Sequence, residues 1–239
     1  MSAVISPATQ TYRTALVLNN MAITLIERER YGPALKTVIA SLSLMKQMFR
    51  STAESSVKES QSSTEKLKAA SARLSEFLSS TQRPCPDTEI ESLEDDGLGA
   101  LRVAAIYGPS ADVVFPVRIS CSCCEDADAS TFARQFATIL YNHALVCFLL
   151  SKQRNENTSG KYITTAVWYF ELADTILSSL LGSKNPIEDE LPMVLLSVLV
   201  LNCLSLVYRK QGLKGKAEEA EHLSSITHSE VEEGFFFSD

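Results

Sequence analysis

The chain has 239 residues, 45% of them hydrophobic and 21% charged, a balance that suits a globular protein with a sizeable core. Its formal net charge of -7 argues against nucleic acid, which needs clustered Lys and Arg, and against adhesion to anionic lipid. The opening MSAVISPATQTYR lacks a basic region followed by an apolar one, so no secretory signal is expected. With Cys147 and Cys203 inside apolar helical stretches, free thiols of a cytoplasmic or nuclear protein are expected rather than a disulfide framework.

Leu16, Leu18, Met21, Ala22, Leu25 and Ile26 predict a first helix over residues 12–30. ERYGPAL then turns the chain, and Pro33 sits where the first turn of a second helix tolerates it. That helix carries Leu35, Val38, Ile39, Leu42 and Leu44, so residues 1–50 read as a first helical hairpin. Residues 51–97 read as a Ser-rich and acidic linker with one amphipathic helix, marked by Leu67, Ala70, Leu74, Phe77 and Leu78.

Residues 98–120 change period. ALRVAAIYGPSADVVFPVRIS alternates and is rich in β-branched residues, with GPSAD between two arms. A small β-hairpin is expected there, with Pro116 at an edge or at the end of pairing. Helical patterning resumes over residues 129–228 as two further hairpins, broken by the loops QRNENTSG, GSKNP and GLKGK. Residues 229–239 form an acidic aromatic tail.

Small residues recur at matching places in three of these hairpins. Ala22, Ala34, Val38 and Ser41 mark the first, Ala144, Ala166, Phe170 and Ala173 the middle, and Ser205 and Ala217 the third. The middle turn is longer and holds an insertion, SKQRNENTSGK, as loops of repeat architectures often do. In LNNMAITLIERERYGPA, in YNHALVCFLL joined to AVWYFELA, and in NCLSLVYRKQGLKGKA, the chain resembles the tetratricopeptide repeat family. The resemblance implies a mainly α fold of stacked antiparallel hairpins, with Ala where two helices cross closely and Phe170 filling the gap beside it. Glu221 departs from it, standing where a bulky apolar residue is expected.

Some members of that family hold the carboxylate end of chaperone tails, and Asn20 and Asn142 match the two Asn positions of that clamp. Leu16, Leu199 and Cys203 stand at its cationic positions, so the charge-assisted bonds to a carboxylate are missing and a chaperone tail is rejected. For Asn20 and Asn142, tying the helices together is preferred to binding an extended peptide backbone. With Tyr141 they are the candidate groove residues. Phe235, Phe236 and Phe237 either dock on another protein or fold back to cap the array.

The most direct expectation is a non-catalytic module that binds a peptide or partner helix of another protein, with no cofactor and no metal. One alternative is a small enzyme using His143 and Cys147, which share a helix face. Both fall on packing positions, and no Gly-rich nucleophile turn accompanies them. Zinc on Cys121, Cys123, Cys124 and Cys85 is disfavoured because only one close ligand group exists. The other alternative is a membrane-associated adaptor, since residues 191–208 are uncharged and about long enough to span; a buried repeat helix is preferred.

Overall fold

The computed structural model describes residues 7–54, 114–119, 129–153, 156–181 and 190–236, and among these residues the helix-period patterning becomes six α-helices. They are α1 (Pro7–Glu27), α2 (Tyr31–Glu54), α3 (Ala129–Gln153), α4 (Glu156–Leu181), α5 (Glu190–Lys210) and α6 (Lys214–Phe236). Each packs chiefly on its sequence neighbours: α1 on α2, α3 on α4, α5 on α6, with α2 on α3 and α4 on α5 joining the pairs. More slender contacts link α3 to α1 and to α5.

Two of the turns are built alike. After α1, the Arg30 amide donates to the Leu25 carbonyl at 2.8 Å and the Glu29 amide to Ile26 at 2.8 Å. After α5, Leu213 donates to Tyr208 at 2.9 Å and Gly212 to Arg209 at 3.0 Å. This pair of bonds satisfies the last carbonyls of a helix and requires a left-handed residue just past its end. Glu29, at φ 56°, fills that place in the first turn, and Gly212, at φ 76°, in the second. The next helices then open on equivalent bonds, Ala34 to Arg30 and Ala217 to Leu213.

The small residues line the seams. Ala22, Ala34, Ala144, Ala166 and Ala173 are fully buried, as is Phe170 between the last two. In the third hairpin the same seam is polar. The Ser205 hydroxyl donates to the Glu221 carboxylate at 2.8 Å, and the Arg209 guanidinium holds the same oxygen. A carboxylate is tolerated at the bulky position because hydroxyl and cation satisfy it there. Ser41 and Ser224, both buried at matching places, donate to the Ala15 carbonyl and the Asn202 side chain, each at 2.7 Å.

QRNENTSG departs from the loop expected. α3 runs through Gln153 and α4 starts at Glu156, so most of the insertion lengthens the two helices. The ends are held where they meet: Ser159 donates to the Ser151 carbonyl at 2.9 Å, and Lys210 reaches the same carbonyl at 3.2 Å. α5 is the one described helix long and apolar enough to cross a membrane, and 72% of that stretch, Pro192–Lys210, is buried inside the fold. Packed between α4 and α6, it needs no polar face.

The β-hairpin expected over residues 98–120 meets a different finding in its second arm. Residues 114–119 form no strand; they lie against α1 and α3 and bond to side chains. The linker expected from residue 51 starts later, since α2 runs through Glu54. The rest of it, with the helix expected around Leu67 to Leu78 and Cys85, and also the other arm and Cys121, Cys123 and Cys124, lies outside the described residues.

Candidate functional site

The seam between α1 and α3 is a place where two helices present amide side chains to a third segment. The Asn20 side chain of α1 donates to the Ile119 carbonyl at 2.7 Å and accepts from the Ile119 amide at 2.9 Å. Asn142 of α3 treats Val117 the same way, donating to its carbonyl at 2.7 Å and accepting its amide at 2.9 Å. One step further along, the Tyr141 hydroxyl donates to the Phe115 carbonyl at 2.7 Å. Contacts at every second residue are those of an extended chain. An asparagine carboxamide offers one acceptor beside a donor, as a peptide group does, so each Asn stands in for a neighbouring strand.

Side chains of the segment alternate accordingly. Val117 and Ile119 are buried in the core, while Arg118 lies between them on the rim. Its guanidinium pairs with the Glu27 carboxylate at 2.6 Å and reaches the Thr24 hydroxyl at 3.3 Å. Pro116, preceding Val117, restrains Phe115 to extended backbone and so pre-orders the segment.

Asn142 does more than hold Val117. Its second amide hydrogen goes to the side chain of Asn19 at 3.1 Å, so it ties α3 to α1 while holding Val117. Both Asn19 and Asn142 are fully buried, and every polar hydrogen of Asn142 is used. A second tie lies nearer the N-terminus of α1: the Tyr12 hydroxyl donates to Gln135, and its ring meets Phe132 at 5.5 Å. Tyr141 is braced by Phe170, 5.7 Å away between rings, and by the Cys203 thiol at 3.8 Å. Burial, with Cys203 beside it, raises its pKa well above the usual phenol value, so the hydroxyl stays a donor.

Asn20, Tyr141 and Asn142 are thus brought together around one stretch of main chain. Phe235 and Phe236 fall in the last turn of α6; their side chains and Phe237 lie outside the described residues. His143 and Cys147 face inward instead. The His143 ring meets Tyr169 edge-on at 4.0 Å, and its Nδ1 has no hydrogen-bond partner. Burial, then the Lys46 charge, brings its pKa down to about 4, so the ring is neutral. Burial pushes the Cys147 thiol up to about 12, which leaves it a weak nucleophile near neutral pH. Among the described residues no three His, Cys, Asp or Glu side chains are grouped to hold a metal.

Sequence reading passed over Asn19, Gln135 and the pairing of Arg118 with Glu27. The adjacent Asn19 and Asn20 were a usable signal, because neighbouring residues on a helix point to adjoining faces. In comparison with known proteins, the chain matches no family model, no curated protein and no solved structure.

Proposed function

We propose that this chain is a non-catalytic interaction module, an array of tetratricopeptide-like hairpins that binds a segment of another protein along α1 and α3. One observation carries the reading: two asparagines on successive first helices each grip a single residue of an extended segment by its N–H and C=O. Main-chain gripping is how a protein takes peptides of varied sequence. The repeat reading draws on the matched turns at Glu29 and Gly212, on the buried Ala crossings and on neighbour-to-neighbour helix packing. Free buried thiols at Cys147 and Cys203 fit a cytoplasmic or nuclear setting. Their unreactive form weighs against a Cys/His enzyme, and the burial of α5 weighs against a membrane adaptor.

The test is a pull-down from native extract with wild type and an Asn20→Ala/Asn142→Ala variant shown by circular dichroism to remain helical. A partner retained by wild type and lost by the variant supports the module. A partner held equally by both moves recognition to another surface, and the absence of any specific partner removes the reading.

A further inference from the structure

We infer that the α1–α3 seam is a peptide site for an extended segment of the form apolar–Arg/Lys–apolar, and that residues 114–119 are its built-in competitor, displaced when a partner supplies such a segment. This rests on the interaction-module reading and gives it a ligand. The chemistry follows from what the seam touches. Asn142 and Asn20 demand an N–H at two residues spaced two apart, which excludes proline at both places. The burial of Val117 and Ile119 demands apolar side chains there. Glu27 and Thr24 at the rim demand a cation with hydrogen-bond donors between them.

Residues 115, 117, 118 and 119 are all held by groups of α1 and α3. The partners are the side chains of Asn20, Thr24, Glu27, Tyr141 and Asn142 and the Asn20 carbonyl, which accepts from Arg118 at 3.5 Å. The helices that carry those groups also pack on one another, through α1 on α2 and α2 on α3, so the seam has a frame independent of its occupant. Asn20 is partly exposed even with the segment in place. Water is therefore at hand to satisfy it during exchange. A tethered competitor acts at an effective concentration in the millimolar range, so a free peptide with the same contacts binds the intact chain weakly.

The probe is a fluorescein-labelled synthetic octapeptide, VVFPVRIS, identical to residues 113–120. It is titrated against the full wild-type chain and against a Val117→Pro/Ile119→Pro variant, which removes both segment N–H donors and leaves every seam residue intact. The variant is expected to bind the peptide at least about tenfold more tightly than wild type, because its own competitor is weakened. A peptide N-methylated at the Val and Ile that correspond to Val117 and Ile119 should lose at least about tenfold, and one with Glu in place of Arg should also weaken.

A variant that stays helical and melts cooperatively yet does not bind the peptide overturns the inference, as does equal binding of the N-methylated peptide. If the variant does not fold, hydrogen exchange of wild type decides. Faster exchange at the Val117 and Ile119 amides with excess peptide supports displacement, and unchanged exchange overturns it. Failure of the peptide alongside an asparagine-dependent partner in the pull-down removes the ligand pattern and leaves the module. Failure of both removes the module as well.

Discussion

At the residue scale, His143 is the most pH-sensitive place in the described core. Its ring is 3% exposed, neutral, and held at a pKa of about 4 by burial and by Lys46. In the unfolded chain an imidazole titrates near 6.5, so between those values the unfolded state binds more protons than the folded one. Stability contributed here is therefore complete above about pH 6.5, falls as pH drops through the window, and is lost near pH 4. The full effect is on the order of 3 kcal/mol. His143→Phe should flatten the slope of unfolding free energy between pH 6.5 and 4.5 in urea titrations; an unchanged slope would assign it to other groups. A turn away, Cys147 offers a kinetic counterpart. With its thiol buried and pushed up to about 12, it should resist iodoacetamide at pH 7.5 until denaturant is added. Peptide mapping that finds Cys147 alkylated in the native protein would reopen the enzymatic alternative.

Among the elements, the two matched turns invite opposite substitutions. Glu29 occupies a left-handed conformation that costs a residue with a Cβ about 1 kcal/mol, whereas Gly212 occupies the equivalent place freely. Glu29→Gly should stabilise the chain by up to about 1 kcal/mol, less the entropy that glycine adds to the unfolded state. Gly212→Ala should destabilise it by about 1 kcal/mol through backbone conformation alone, since no atom lies within 4 Å of the added Cβ. Denaturant midpoints measure both, and a gain from Gly212→Ala would contradict the turn geometry. The helices themselves were legible because burial on one face repeats every three to four residues. Their ends were less so: α1 starts at Pro7 and α4 at Glu156, inside stretches whose polar residues carry no burial signal but extend a helix already nucleated by packing. That Asn20, Tyr141 and Asn142 lie near one another was legible with the helical stretches laid over one another. Their occupant was not, because Asn20 and Ile119 are 99 residues apart and a side chain bonding to main chain leaves no period in the sequence. The alternation of VFPVRI pointed to an extended segment but carried no sign of the two asparagines that hold it.

On the scale of the whole molecule, contacts among the described helices run mostly between sequential ones, so stability is expected to pass chiefly from neighbour to neighbour. The first and second hairpins meet through α2 on α3, with only slender contact of α1 on α3, and residues 114–119 bridge that gap with Asn20 on one side and Asn142 on the other. Each of the four asparagine–main-chain bonds contributes roughly 1 kcal/mol net, and the exposed Arg118–Glu27 pair about 0–1 kcal/mol. Asn20→Ala/Asn142→Ala should therefore cost about 2–4 kcal/mol, and the loss should be uneven. Amide hydrogen exchange should quicken first in α1 and α2, which lose their bridge, while α5 and α6 keep the protection set by their own packing. Val117→Pro/Ile119→Pro should reproduce that pattern more weakly from the segment's side, since it removes two of the four bonds, those of the segment N–H groups, without touching a helix. If protection instead fell equally from α1 to α6, the described helices would be one cooperative unit. The segment would then be part of the core throughout, with no freedom to yield its place to a partner.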